Sequence, residues 1–153
     1  MYKRKIVIHA DGAASPNPGI GGWACVLFDP AKDYRKELSG FQAVATNNQM
    51  ELTSVIEAFK ALKMPCNVTL YSDSQYVVNA FNQGWINGWQ SKRWIASSGK
   101  PVKNQELWKE LLCAIKQHDV TWIWCKGHDG NAGNERCDEL AVNAISTYRK
   151  LME

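Results

Sequence analysis

Four acidic residues of this chain sit where carboxylates could do chemistry. Asp11 closes an alternating apolar run and is followed at once by Gly12, and Asp73 closes a second such run, Val68 to Ser72. Taken singly, each has a structural reading: Asp11 as a turn-starting aspartate and Asp73 as a helix N-cap. Glu51 and Asp138 are harder to absorb. Glu51 lies four residues before Val55, and Asp138 lies three and four before Ala141 and Val142, which puts both on the core-facing sides of their helices. Ionised groups there need a partner. A buried salt bridge is the structural alternative, but no Lys or Arg stands at a matching spacing, and Arg136 falls elsewhere on its helix. Four carboxylates brought to one place would repel one another and raise one another's pKa values unless cations neutralised them. A set of oxygen ligands without His or Cys selects hard ions, Mg²⁺ or Mn²⁺ over zinc. Two such ions roughly 3.5–4 Å apart can activate a water on one side of a phosphorus and stabilise the leaving oxygen on the other, so phosphodiester hydrolysis is the reaction class.

These acids need elements to carry them together. Lys5 to Asp11 alternates as a strand, with Ile6, Ile8 and Ala10 on one face and Val7, His9 and Asp11 on the other, and the turn-rich run Gly12 to Gly22 ends it. Trp23 to Phe28 and Tyr34 to Phe41 read as two more strands of an antiparallel meander. Thr46 and Gln49 form a capping-box signature, after which Leu52, Val55, Ile56, Phe59 and Leu62 recur at helical spacing. This helix is a crossover that lays Val68 to Ser72 parallel to the first strand, so Asp11 and Asp73 end neighbouring strands on one edge. A helix is expected from Asp73 or Ser74 and another over Leu107 to Ile115, with a polar, tryptophan-bearing segment between them. Val120 to Cys125 makes a fifth strand, and Cys137, Leu140, Ala141, Ala144, Ile145 and Tyr148 mark a final helix that packs on the sheet. The expected fold is a mixed α/β layer: three antiparallel strands, then two parallel ones, flanked by helices in one domain over 1–153.

Composition fits that picture. Apolar residues make up 45% and charged residues 22%, near the averages for globular chains. No segment is apolar enough to span a bilayer, and the early run breaks at His9 and Asp11, too soon for a signal peptide. The five cysteines are odd in number, widely spaced and free of any C-x-x-C pair, which argues against a disulfide framework or a zinc site and for a reducing cytoplasm. Net charge is only +3, but the window from Ser74 to Gln105 contains no acid and holds Lys92, Arg93, Lys100 and Lys103, a local patch suited to a phosphate backbone.

Four segments then carry a resemblance: Ala10-Asp11-Gly12; Thr46 through Leu52; Tyr71 through Val77; and Gly127-His128 with Asn134 through Ala141. In this order, over nearly the whole chain, they resemble ribonuclease H of the bacterial type 1 group. The resemblance implies an endonuclease that cuts the RNA strand of RNA/DNA hybrids with two Mg²⁺ ions, or Mn²⁺ in their place, leaving 5′-phosphate and 3′-hydroxyl ends. It also implies a monomer without membrane attachment. Asp11 would bridge the two ions, Glu51 and Asp73 would hold one, and Asp138 would help hold the other. His128 matches the family's loop histidine, a mobile acid/base near neutrality, whose structural alternative is a solvated loop residue. His9 and His118 are left in that solvated class.

Asn17, Asn47, Asn48 and Gln75 match positions that in the family hydrogen-bond the hybrid near the cut, where amides can both donate to and accept from a 2′-hydroxyl. Asn47 and Asn48 could instead order the helix start, and Thr46 is both a cap and a match to a DNA-phosphate ligand. The basic window resembles the family's protruding handle, with Trp89 and Trp94 expected to pack it internally and Trp85, beside Lys92, Arg93 and Lys100, free to stack on sugar or base. Two positions depart from the family. Val44 replaces a common phosphate-pocket arginine, and Gly88, next to Asn87, stands near the place of a phosphate-binding asparagine. These bear on affinity and leave the reaction unaffected. Rival readings are a DNA nuclease or strand-transfer enzyme of the same broad fold, a non-catalytic hybrid-binding module, and a structural domain whose acids merely cap.

Overall fold

The computed structural model describes residues 3–127 and 130–153. Three long antiparallel strands open the chain: β1 (Arg4–Ser15), β2 (Gly19–Asp29) and β3 (Tyr34–Ala45). Helix α1 (Asn47–Lys60) crosses over to β4 (Cys66–Ser72), and the chain continues through α2 (Gln75–Asn82), α3 (Trp85–Ser91) and α4 (Gln105–Ile115) to β5 (Asp119–Trp124) and α5 (Ala132–Leu151). The sheet order is β3-β2-β1-β4-β5, with β4 parallel to β1 and β5 parallel to β4. That is the mixed sheet expected from the sequence.

Strand β1 runs four residues past Asp11, through the stretch read above as a turn. Residues from Gly12 to Ser15 keep pairing with Trp23 back to Ile20, so Asp11 stands within a strand opposite Ala24 and starts no turn. The glycines that suggested a loop serve close packing in this hairpin. The tryptophan-bearing segment also holds a helix the periodicity did not reveal, α3, too short and too polar to show an apolar stripe.

The helices sandwich the sheet. On one face Ile6, Ile8 and Ala10 of β1 with Val68 and Leu70 of β4 meet Leu52, Val55, Ile56 and Phe59 of α1. Each such burial contributes roughly 1.5–3 kcal/mol, so α1 is held mainly by packing. On the other face Ala24 and Val26 of β2 meet Cys137 and Ala141 of α5. Trp108, wholly buried in α4, and Trp122, stacked on Phe81 at 3.9 Å, extend the first core toward the protruding segment. Among the described residues no helix is long and apolar enough to cross a membrane.

Candidate active site

The carboxylates converge. Ligand oxygens of Asp11, Glu51 and Asp73 all lie within 4.8 Å of one another. Asp138, reaching over from α5, lines the same open cleft of ≈ 410 Å³ with Asn47, Asn48 and Gln75. Four segments of chain thus meet at one end of the β1–β4 pair, and local structure explains each arrival. Alternation turns Asp11 to the same face as His9. Thr46 opens α1 through a complete capping box: its Oγ accepts from Gln49 N at 3.1 Å, and Gln49 Oε1 accepts from Thr46 N at 3.0 Å. This fixes Glu51 in the second turn. Gly12 has no side chain because α1 presses on it, and a Cβ there would lie 2.3 Å from the carbonyl carbon of Met50. That contact brings Glu51 down onto Asp11.

Asp73 does not cap α2. The cap is Ser74, whose Oγ accepts from Val77 N at 3.2 Å, while Ser72 Oγ accepts from Ser74 N at 3.0 Å. The capping reading of Asp73 is thereby replaced, and the residue lines the cleft. Sequence reasoning missed Trp124, whose Nε1 donates to the Asp73 carbonyl at 3.1 Å and steadies this junction. The Val120-Trp122-Trp124 alternation contains that residue, but gives no hint that an exposed indole faces an acid's backbone.

Burial and mutual repulsion act on these groups. Asp11 is only 5% exposed, and burial, followed by the negative charge of Asp73 and then of Asp138, pushes its pKa up to about 7, although Gly12 N donates to its Oδ1 at 2.9 Å. Glu51 is driven well above the usual range by burial first and by Asp11 and Asp73 next. Among the described residues no Lys or Arg forms an ion pair with Asp11, Glu51 or Asp138. Arg136 points away from the cleft and clasps Glu37 of β3 through two bonds of 2.8 and 3.0 Å. Glu51 Oε2 is buried with no hydrogen-bond partner among the described residues, an orphan that a hard cation would satisfy.

The other expected residues divide. Asn47 and Asn17 tie the start of α1 to the β1–β2 hairpin: Asn17 Oδ1 accepts from Asn47 N at 3.0 Å and Asn47 Oδ1 accepts from Ala14 N at 2.7 Å. Their carbonyl oxygens are thus engaged within the protein, and their amide N–H groups remain for a ligand. Asn48 and Gln75 are exposed on the cleft wall. A second hollow, lined by Asn17, Thr46, Asn48, Lys103 and Asn104, adjoins the cleft through Asn47 and Asn48 and leads toward the basic segment. In that segment Trp89 packs against Trp94 at 6.0 Å and Trp108 at 5.3 Å, whereas Trp85 is 39% exposed. Lys92, Arg93 and Lys100 are exposed. Val44 is 71% exposed on β3, and Gly88 is exposed in α3.

The histidines depart from expectation. His118 is buried rather than solvated: its Nδ1 accepts from Cys66 N at 3.0 Å. His9 stands half-buried within β1, stacked on Tyr71. His128 lies outside the described residues.

Comparison with known proteins agrees with this geometry. The family model described as RNase H matches residues 3–146. A protein named Ribonuclease H from Caldanaerobacter subterraneus subsp. tengcongensis is 53% identical over 145 residues, covering 95% of this chain and 94% of that protein. The crystal structure of LC9-RNase H1, described as a type 1 RNase H with the type 2 active-site motif, superposes with a TM-score of 0.86 at 29% identity over 96% of this chain and 74% of its own. LC11-RNase H1 in complex with RNA/DNA hybrid shares the fold at a TM-score of 0.72 and 23% identity, over 94% of this chain and 98% of its own.

Proposed function

This chain belongs to the RNase H family, and from that premise we propose that it is an endonuclease that hydrolyses the RNA strand of RNA/DNA hybrids, leaving 5′-phosphate and 3′-hydroxyl ends. The observation that carries the proposal is the gathering of Asp11, Glu51 and Asp73 within 4.8 Å in a cleft that Asp138 also lines. The fold likeness to a protein crystallised with RNA/DNA hybrid supports the substrate class.

The donor set fits divalent cations. Every candidate ligand atom is a carboxylate oxygen, and the cluster has a buried acceptor without a partner. Asp11, Glu51, Asp73 and Asp138 would hold two Mg²⁺ ions, with Mn²⁺ as a substitute. When bound, these would acidify the attacking water and offset the charge that builds on the phosphate and the leaving oxygen. The chain's own residues orient the substrate. Asn47, Asn48 and Gln75 on the cleft and Asn17 in the adjoining hollow carry amides that can read the 2′-hydroxyls of the strand to be cut. Thr46 lines the second hollow, where its hydroxyl can donate to a phosphate. Lys92, Arg93 and Lys100 follow the DNA strand, with Trp85 as an exposed stacking surface. His128 is assigned the proton transfer or product departure that the family motif implies.

The whole of 1–153 is read as one catalytic domain acting as a monomer in the cytoplasm, a reading supported by five free cysteines and a family match over most of the chain. Labelled RNA/DNA hybrid, duplex DNA and duplex RNA incubated with Mg²⁺ test the assignment. Cleavage confined to the RNA of the hybrid and abolished by Asp11→Asn is expected. Equal cutting of duplex DNA, or full activity in Asp11→Asn, would refute it.

A further inference from the structure

No role falls to His9 from its place in the sequence, yet it stands beneath the start of α5. Alternation turns His9, like Asp11 two residues on, toward the face of the sheet that α5 covers, and its antiparallel partner is Val26 of the α5-side cluster. Tyr71, its partner across the parallel pairing with β4, stacks on the imidazole with ring centroids 4.8 Å apart and planes 10° from parallel. The His9–Tyr71 pair thus forms the layer directly below Asp11 and Asp73.

The first turns of α5 rest on this layer. Gly133 lies so close that a Cβ would sit 2.4 Å from Cγ and Nδ1 of the ring. Asn131, whose Oδ1 caps α5 by accepting from Asn134 N at 2.9 Å, has its side chain within hydrogen-bonding reach of the imidazole. One turn further, Cys137 Sγ donates to the His9 carbonyl at 3.2 Å. The next residue is Asp138. A ring of fixed thickness therefore separates the sheet from the turn that precedes this acid, and packed interiors transmit such spacings with little give.

We infer that His9, backed by Tyr71, is a positioning residue: it sets the height of the first turns of α5 above β1 and hence the reach of Asp138 into the cleft. This rests on the reading of Asp138 as a cation-holding carboxylate. The imidazole is clasped between Tyr71 and Gly133, so its effect passes through α5. The bond from Cys137 to the His9 carbonyl survives any change of the His9 side chain, which isolates the contribution of the ring.

The test compares kcat and KM on hybrid substrate with Mn²⁺ affinity measured calorimetrically on the protein without substrate. Asp138→Asn is the reference and must lose activity. Full activity there overturns the reading of Asp138 itself, separately from any His9 result. His9→Ala is expected to lower kcat about ten- to a hundred-fold with KM within about two-fold, and to weaken Mn²⁺ binding about ten-fold. His9→Phe, which keeps a stacked ring under Gly133, should stay within about three-fold of the parent protein. Gly133→Ala should reproduce the His9→Ala defect by lifting α5. The double variant His9→Ala/Gly133→Ala should regain much of the loss, because the new methyl enters space the ring has left. Leu111→Ala, wholly buried in helix α4, which packs on α1 and lies in the core cluster away from α5, controls for destabilisation and should leave kcat and Mn²⁺ affinity within about three-fold. A His9→Ala protein that melts lower but keeps parental kcat and Mn²⁺ affinity would overturn the inference. If His9→Ala does not fold, a Gly133→Ala protein with parental kinetics overturns it equally.

Discussion

Replacing Asp11 by asparagine should make the cation-free protein more stable while destroying its activity. In the folded chain burial and the charges of Asp73 and Asp138 raise the Asp11 pKa from 3.8 to about 7. A carboxyl group whose folded pKa exceeds its unfolded value stabilises the fold when protonated. That contribution is complete below about pH 4 and is lost as the pH rises through 7. Converted at 1.36 kcal/mol per tenfold change in acidity, the difference makes the ionised group cost on the order of 4 kcal/mol. Entry of water and side-chain relaxation reduce what is measured to about 1–3 kcal/mol. Asparagine is nearly isosteric, and its Oδ1 can still accept from Gly12 N. Its amide can also donate to Glu51, whose carboxyl faces Asp11. Urea unfolding in EDTA is the assay. At pH 5, where part of the contribution is already lost, Asp11→Asn should lead by no more than about 1 kcal/mol. At pH 8 Asp11→Asn should be more stable by about 1–3 kcal/mol, or roughly 2–10 °C in Tm for a domain of this size. Millimolar Mg²⁺ should then raise the stability of the parent protein more than that of the variant. A parent protein whose stability relative to Asp11→Asn does not change between pH 5 and pH 8 would show that Asp11 carries no electrostatic strain, and the case for a cation at this cluster would lose its physical basis.

Other consequences are open to measurement. Gly12→Ala should destabilise the fold by about 1–3 kcal/mol in urea titration and lower cleavage at least ten-fold, because α1 must retreat from β1 and take Glu51 with it. Thr46→Ala removes one half of the capping box and should cost about 1 kcal/mol, read as a fall of about 2–4 °C in Tm. The Lys92→Ala/Lys100→Ala pair should reduce the slope of log Kd against log salt for hybrid by roughly 1.5–2 while kcat stays within about two-fold. An unchanged slope would remove these residues from the DNA path. Burial, with Lys3 nearby, holds the His118 imidazole below its ordinary pKa of 6.5. Stability from its neutral form is therefore present above pH 6.5 and lost as pH falls through the lower folded value, and a ring proton titrating at or above 6.5 by NMR would contradict this.

The large features were legible because they rest on periodicity. The α1 stripe, the alternation of β1 and β4 and the crossover between them foretell where Asp11 and Asp73 meet, and the helical placement of Glu51 and Asp138 foretells their approach. Less visible was whatever depends on a neighbour far along the chain. Glycines at 21 and 22 look like a loop until β1 is seen pairing with them. The capping role of Asp73 passes to Ser74 because Ser72 and Val77 make their bonds to that residue. His9 and His118 carry no local mark of burial. One is covered by Gly133, 124 positions away, and the other takes a hydrogen bond from Cys66, and only tertiary packing supplies such partners.

The order in which the cleft is built has a consequence for synthesis. Its walls come from the first strand, the first helix, the end of the fourth strand and the last helix, so the nascent polypeptide has no complete cluster until residue 138 has left the ribosome and α5 has docked.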